Sequence, residues 1–486
     1  WILWAPLFLQ GMCSLADDWP AAESARCVDL PGRAVASSAK PLLTSGGEVA
    51  ASLLVARGAV LCVPVDTSIA QAASKELHAQ AAACGLELLT LPCTVTVQGT
   101  AEALVDAALA SRSDWRMLVC VVGFADSDER RACWRVLKAA KLRHPGIFTI
   151  AYGPSAGSDP RFRMDAFAAG ARMVTGDLVA IGAVARFIAG QGSRGGMLAC
   201  PGGCGLRGLT EDELHHHYPL YHACEPNVDT SCPMCGKKPD CIDVHLHNCH
   251  GPPELREPAA GHYSAFAWVV CRRESDGRFL LVHEPAGLSS GRPAYWLPAG
   301  RVDVDESILD AARRETLEEG GVDVEIVGVL RFMMGRARRR ISGSVARPPV
   351  VRVIFLARPV SEAAARRVKT TPDFESCGAL WVSVQDLQQL REKDFRSTDP
   401  VLLFPKVANG SLVPLTLDTQ EFRAFDETIM ALTRGEVTSR SAAGAQPACA
   451  AQCPQQAVSP RAAGSAELAA AWSRLQSVYP AEAFNQ

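Results

Sequence analysis

Three glutamates stand close together in the chain, with a spacing that could hold a metal ion. Glu315, Glu318 and Glu319 lie at positions i, i+3 and i+4, so on a helix they share one face. Carboxylates this close repel one another unless a cation lies between them, and hard oxygen ligands favour Mg²⁺ or Mn²⁺. Arg314 stands beside them and could orient or neutralise one acid. Ahead of the predicted helix, WLPAGRVD should end a strand in a glycine turn, where the carbonyl of Gly300 could join the metal site.

Residues 300–322 resemble the Nudix box, Gly-x5-Glu-x7-Arg-Glu-U-x-Glu-Glu-x-Gly-U, in which U is usually a bulky aliphatic residue. The matching positions are Gly300, Glu306, Arg314, Glu315, Glu318, Glu319, Gly321 and Val322. Thr316 is the one soft departure and affects packing more than chemistry. The resemblance implies an α/β/α Nudix sandwich that hydrolyses a nucleoside diphosphate linked to another moiety, with Mg²⁺ or Mn²⁺ as cofactor. It also implies that the three box glutamates bind metal and that Arg314 aligns Glu315, the first of them.

The Nudix-like domain is expected at residues 260–435. SAFAWVVCRR and RFLLVHEP should form a strand pair before the box, and VEIVGVLRFMMG and VVRVIFLARPV should be strands after it. On those later strands we expect Phe332 and Arg352 to contact substrate. Many Nudix enzymes use an acid outside the box as base or extra ligand, and Glu375 is our candidate, with Asp373 as the alternative. The later strands look like those of Nudix hydrolases that remove 8-oxo-guanine nucleoside diphosphates.

A second group of potential metal ligands lies between residues 198 and 256. One set has the spacing Cys-x3-Cys-x12-His-x4-His and a second has Cys-x2-Cys-x9-His-x4-His; the residues are Cys200, Cys204, His217 and His222, then Cys232, Cys235, His245 and His250. His247 competes with His245 for the second set. Thiolates with imidazoles select Zn²⁺, and a closed set of four ligands is structural. We therefore predict two zinc-finger-like knuckles that fold apart from the hydrolase domain.

The charge of this segment argues against nucleic acid as its partner. Residues 200–256 carry eight acidic and four basic side chains. Because phosphate binding depends on neutralisation by basic residues, an acidic module is repelled by nucleic acid. A protein partner is the better expectation for the zinc knuckles.

Residues 50–192 alternate aliphatic runs with segments of helical period. AVLCVPV, LELLTLP, MLVCVVGF and IFTIAYG look like buried parallel strands, and a fifth unit follows them. This alternation predicts a doubly wound, flavodoxin-like or receiver-like domain. The end of the domain resembles a response-regulator receiver, but Val122-Gly123-Phe124 replaces the phosphoacceptor aspartate and no lysine follows the fifth strand. The expectation is therefore a degenerate receiver that serves as a docking or dimerisation surface, with a pure scaffold as the alternative.

Length and composition limit the remaining choices. The 486 residues are too many for one core, so several domains are expected, and the 48% apolar and 21% charged content is that of a folded soluble protein. Together with the strand and helix patterns, this gives a multidomain α/β protein. A 1–49 tail is expected at the start, and a 436–486 linker with a short helix at the end. The sequence has no run of 18 apolar residues, so no membrane-spanning helix is predicted. Seven of the 18 cysteines lie between residues 200 and 249, beside histidines, and this clustering favours a reducing compartment, cytoplasmic or nuclear. Because the chain starts at Trp1, targeting cannot be read.

Three functions fit these features. The first is a metal-dependent hydrolase acting on nucleotide substrates by water attack at phosphorus. The second is a nucleotide sensor or scaffold with a Nudix fold, against which the intact glutamate set counts. The third is an RNA-directed Nudix enzyme, which the acidic knuckles disfavour.

Overall fold

A computed structural model describes most of the chain. It covers residues 115–122, 127–192, 194–251, 264–289, 291–335, 350–434 and 460–484. Before residue 115 it describes two strands, at 59–64 and 87–90, and a few helical positions between residues 75 and 110. The 1–49 tail and most of the 436–463 linker expected from the sequence lie outside the described residues. None of the described helices is long and apolar enough to cross a bilayer.

The amino-terminal part is a five-stranded parallel sheet. The strands are β1 Ala59–Pro64, β2 Glu87–Thr90, β3 Trp115–Val121, β4 Phe148–Tyr152 and β5 Met173–Thr175. They are ordered β2-β1-β3-β4-β5, which is the flavodoxin-like order. The helices after β3, β4 and β5 are α1 Ser127–Arg143, α2 Pro160–Ala168 and α3 Leu178–Gly190. Helices α1 and α2 pack on one face and α3 on the other, so helices cover both faces of the sheet.

The Cys/His segment, residues 198–251, follows directly. It has a short hairpin and three helical pieces: β6 Leu198–Ala199, β7 Arg207–Leu209, α4 Glu211–His222, α5 Ile242–His245 and a π-turn Leu246–His250. Leu214, Tyr218 and Ile242 share one buried cluster with Ile181 and Val184 of α3. The segment therefore packs as a further layer on the amino-terminal sheet. The sequence predicted knuckles apart from the hydrolase domain, and it did not predict the core that they share with the amino-terminal sheet.

The carboxy-terminal part contains two sheets. One has the order β11-β8-β13-β12 and the other the order β10-β9-β14. The strands are β8 Ser264–Cys271, β9 Phe279–Glu284, β10 Ala294–Trp296, β11 Ala299–Arg301, β12 Val324–Gly335, β13 Val350–Pro359 and β14 Ala379–Val382. The helices are α6 Ile308–Gly320, α7 Glu362–Ala365, α8 Val384–Leu387, α9 Asp399–Ala408, α10 Gln420–Thr433 and α11 Pro460–Val478. Helices α6, α10 and α11 cover one face of the four-stranded sheet, and the other sheet with α9 covers the opposite face.

The expected pairing of the first two strands of this part is wrong. Strands β8 and β9 touch through an isolated bridge between Arg272 and Phe279 and then enter different sheets. Strand β8 pairs instead with β11 and, in parallel, with β13. Aliphatic residues facing both ways along β8 allow this arrangement, because both of its faces are buried.

The final helix belongs to the core of this part. Leu468, Ala471 and Leu475 of α11 are buried in the cluster that contains Phe422 and Phe425 of α10. The sequence predicted a linker with a short helix at residues 436–486. The helix instead begins at Pro460, and its apolar face packs against the four-stranded sheet and α10.

Candidate functional site

Helix α6 carries the three glutamates, and the local sequence fixes both of its ends. Ser307 caps its first turn by accepting a hydrogen bond from the backbone N–H of Asp310. Gly321 ends it in a left-handed conformation with φ of 75°, which a glycine adopts without strain. Ala311 and Ala312 are fully buried against the sheet, and helical spacing places Glu315 and Glu319 on the same buried face of the helix.

Arg314 holds the acids together. Its Nη1 donates to Glu315 Oε1 at 2.8 Å and to Glu318 Oε2 at 2.9 Å. Its Nε and Nη2 donate to the two carboxylate oxygens of Glu306, at 2.8 and 2.9 Å. Nη2 also donates to the Arg301 carbonyl at 2.8 Å, next to the glycine turn. One planar guanidinium thus fixes the turn and three carboxylates in one arrangement, which a lysine could not reproduce.

Gly300 allows the turn to approach the helix. A Cβ at this position would lie 2.0 Å from the carboxyl carbon of Glu315, closer than two atoms can come without bonding. Glu319 reaches the same turn, where its Oε2 accepts a 2.9 Å hydrogen bond from the backbone N–H of Ala299. The structure therefore brings Gly300, Glu315 and Glu319 together, as the sequence spacing predicted.

The acids carry more negative charge than the site's arginine can balance. Burial, and then the carboxylates of Glu375 and Glu318, raise the pKa of Glu315 to about 8 against the opposing pull of Arg314. Burial and the charges of Glu315 and Glu284 raise the pKa of Glu319 well above its ordinary value. Glu284, a buried acid that the sequence analysis missed, pairs with Arg396 at 2.6 Å. Crowded, half-dehydrated carboxylates of this kind suit a divalent cation, which would stabilise their charged forms.

A loop at residues 369–378 lies across the carboxyl end of α6. Its Ser376 hydroxyl donates to the Glu319 carbonyl at 2.7 Å, and the backbone N–H of Lys369 donates to the Gly320 carbonyl at 2.9 Å. The Asp373 carboxylate organises the loop from within: Oδ1 accepts from the backbone N–H groups of Glu375 and Ser376 at 2.9 and 3.1 Å, and from Lys369 Nζ at 2.6 Å. We name this segment the acid loop.

Glu375 is the acid of this loop that remains available for chemistry. Its negative charge is one of those that raise the pKa of Glu315 and the pKa of Glu319. Burial and the neighbouring Asp373 raise the pKa of Glu375 to about 7. Over the described part of the chain, no donor hydrogen-bonds its carboxylate, whereas Asp373 Oδ1 is occupied. Of the two acids that the sequence left open, the geometry favours Glu375 as the one that acts on a water.

A row of partly exposed side chains crosses the four-stranded sheet. Arg301, Phe266, Arg352 and Met333 face one another on four neighbouring strands. The Arg352 guanidinium also lies over the Trp268 ring, 5.7 Å from its centroid. The row combines positive charge with an apolar surface, which suits a phosphorylated aromatic ligand. Arg301 and Phe266 were not recognised in the sequence, because their place beside Arg352 depends on strand pairing.

Phe332 is not part of that surface, and its prediction as a substrate contact is wrong. Its side chain is fully buried and faces the opposite side of the sheet. Its ring is 5.2 Å from those of Phe484 and Tyr479 and 6.0 Å from that of Phe425. The alternation of side chains along β12 places Phe332 in the core and Met333 on the exposed face.

The first Cys/His set comes together around α4. Single ligand atoms of Cys200, Cys204, His217 and His222 all lie within 4.8 Å of one another. The hairpin supplies the cysteines and α4 the histidines, with Thr210 and Glu213 forming a capping box at the start of the helix. The second ring nitrogen of each histidine also has a hydrogen-bond partner. His217 Nδ1 is 3.1 Å from Gln191 Nε2, and His222 Nδ1 is 2.8 Å from Glu225 Oε2. Such outer partners orient metal-binding imidazoles.

The second set comes together around the π-turn. Ligand atoms of Cys232, Cys235, His245 and His250 lie within 4.8 Å of one another. His247, the alternative ligand, is not in this group, and its ring stacks on Phe374. Two thiols and two imidazoles at each position have the chemistry of a tetrahedral zinc site, so both donor sets fit that ion.

Comparisons with known proteins agree with the box. Residues 263–403 match the family model described as the NUDIX domain. The chain is 31% identical over 175 residues to a protein of Caenorhabditis elegans named as nudix hydrolase 1, covering 35% of this chain and 42% of that protein. It is 35% identical over 57 residues to Phosphatase NudJ of Escherichia coli K12, covering 12% of this chain and 35% of NudJ. The chain thus spans less than half the length of either relative.

Solved structures give the same match at lower identity. A NUDIX hydrolase from Nitrosomonas europaea is 22% identical, covering 31% of this chain and 93% of that one, with a TM-score of 0.24. The Ap4A hydrolase of C. elegans is 19% identical, covering 31% of this chain and 98% of that one, with a TM-score of 0.21. Residues 263–403 therefore form a NUDIX domain, an assignment that the family match carries.

Proposed function

We propose that this chain uses its Nudix hydrolase domain to cleave the diphosphate of a nucleoside diphosphate derivative by attack of water at phosphorus, with Mg²⁺ or Mn²⁺. Glu315, Glu318 and Glu319 with the Gly300 carbonyl are the ligands, and the metal would neutralise phosphate charge and lower the pKa of bound water. One observation carries the proposal. Arg314 donates hydrogen bonds to Glu306, Glu315 and Glu318 beside the turn at Gly300, where a larger residue would clash with Glu315.

Residues outside the box complete the reaction. Glu375 accepts a proton from the attacking water, for which its pKa of about 7 is well matched at neutral pH. Arg314 keeps Glu306, Glu315 and Glu318 in place for the reaction. Arg352, with Phe266 and Arg301, binds the nucleotide on the sheet surface. Among substrates, oxidised guanine nucleoside diphosphates are the class to test first, since the strands after the box look like those of enzymes that remove them.

The remaining parts support the hydrolase domain. The two Cys/His sets each hold one structural Zn²⁺. The amino-terminal sheet is a receiver-like domain that has lost its phosphorylation chemistry, since buried Val122 stands at the end of β3 where the acid would be. Its role is that of a docking surface, which would fit a protein partner better than nucleic acid given the acidic Cys/His segment.

A substrate screen tests the proposal. The full chain is assayed with Mg²⁺ or Mn²⁺ against 8-oxo-GDP, 8-oxo-dGDP, GDP, ADP-ribose and a dinucleoside tetraphosphate. Release of phosphate or a nucleoside monophosphate that requires the divalent ion supports the proposal. Tight binding of a nucleotide without turnover would favour a nucleotide sensor instead.

A further inference from the structure

We propose that the Cys/His segment positions the catalytic loop of the hydrolase domain, through the ring of His247 stacked on Phe374 of the acid loop. The inference rests on the proposed function, because it concerns the placing of Glu375. It makes His247 and Phe374 positioning residues rather than catalytic ones.

Among the described residues, this stack is the closest aromatic contact between the Cys/His segment and the hydrolase domain. The ring centroids of His247 and Phe374 are 3.6 Å apart and the planes differ by 2°. Behind His247 lies His215, whose ring is 5.7 Å away and tilted by 23°. Three rings thus run from α4 through the π-turn to the acid loop.

Both metal-ligand sets support this row of rings. His247 lies between His245 and His250, which belong to the second set, and His215 lies two positions before His217 of the first. Closing each set around an ion fixes the backbone on which these rings stand, since metal binding and local folding are one equilibrium. The orientation of His247 therefore depends on both sets being closed.

The acid loop is held from other sides as well, and besides Phe374 its Cys377 packs with Cys224 of the Cys/His segment. Lys369 and Ser376 hold the loop to the end of α6. Thr370 Oγ1 is joined to Thr175 Oγ1 of β5 at 3.0 Å. Phe374 lies immediately before Glu375, so a displacement of its ring moves the catalytic carboxylate. Misplacing such a group by about 1 Å costs up to roughly a hundredfold in rate.

The test compares three variants of the full chain. His247→Ala removes the ring, His247→Phe keeps an aromatic ring of similar size, and His216→Ala removes an exposed histidine of the same segment that lies away from the loop. We expect His247→Ala to lower kcat roughly tenfold with little change in KM, and His247→Phe to restore most of it. His216→Ala should behave as the parent. Zinc content is measured for each variant, and equal content in all three shows that the sets remain closed.

A second readout does not depend on turnover. Amide hydrogen exchange of residues 371–378 should become faster in His247→Ala, and also in Cys235→Ser, which opens the second metal set. Unchanged exchange in both variants, or a His247→Phe variant as impaired as His247→Ala, would overturn the inference. If the parent hydrolyses no nucleotide, the proposed function fails, and the exchange measurement alone then decides whether the stack positions the loop.

Discussion

The guanidinium of Arg163 donates a 3.0 Å hydrogen bond to the backbone carbonyl of Cys377, 214 residues further along the chain. Arg163 is fully buried on α2, and the same side chain donates to the carbonyls of Val174 and Ala156. Helix α2 of the amino-terminal part therefore holds the end of the acid loop by a hydrogen bond to Cys377, two residues after Glu375. Tyr295 adds a second link by donating from its hydroxyl to the Pro160 carbonyl at 2.9 Å.

Removal of this arginine should destabilise the chain strongly. Arg163→Met keeps the side-chain length but leaves three buried carbonyls without a donor, and we expect a loss of about 2–4 kcal/mol in the free energy of unfolding. Arg186→Met on α3 is the control, since the Arg186 side chain is exposed. Its effect should stay within about 0.5 kcal/mol. Equal effects of the two variants in urea unfolding would show that the buried contact has no special weight.

Glu375→Gln should lower kcat by roughly a hundredfold while KM changes little, because a positioned base contributes on this scale. Asp373→Asn tests the alternative acid. Its carboxylate organises the acid loop, so we expect a smaller loss of activity together with lower stability. A silent Glu375→Gln with an inactive Asp373→Asn would assign the base to Asp373.

Purified protein should contain about two zinc ions per chain, one for each Cys/His set. Elemental analysis of the parent, Cys204→Ser and Cys235→Ser should give about two, one and one. Loss of zinc should also lower thermal stability, because the first set shares its core with α3. Iron in place of zinc, or no metal in protein expressed with ample zinc, would contradict this assignment.

The sequence predicted the site better than it predicted the assembly. The box spacing was sufficient for α6, because capping by Ser307 and Gly321 and the acid face are local properties. The Cys/His sets were predictable for the same reason. Phe332 was misassigned because the face of a strand that meets substrate depends on which helices cover the other face. The His247–Phe374 contact joins residues distant in sequence, so no periodicity could reveal it.

Buried His283 should make stability depend on pH. Burial and the charge of Arg163 lower the pKa of His283 to about 3, and its ring lies between those of Phe167 and Tyr295. Above about pH 6.5 the ring is neutral in both folded and unfolded chains. Below it the unfolded chain takes up a proton that the folded chain does not, so stability falls by about 1.4 kcal/mol per pH unit toward the folded pKa.

The variant His283→Phe isolates this contribution. Its ring fits an aromatic environment, and neither nitrogen of His283 has a hydrogen-bond partner within the described residues. The parent and the variant are unfolded in urea at pH 7.5 and pH 5. The parent should lose more stability than the variant between the two values. Parallel losses would mean that His283 is protonated in the folded chain.

Metal-dependent hydrolysis by the box glutamates is tested by the turnover of Glu318→Gln. The variant and the parent are compared at saturating Mg²⁺ on the best substrate of the screen. Glu318 is 42% exposed, so the change should leave the fold intact, which circular dichroism checks. The amide lacks the charge that the site offers to the metal, and we expect turnover to fall by roughly a hundredfold or more. Activity within about threefold of the parent would contradict hydrolysis by this box of acids.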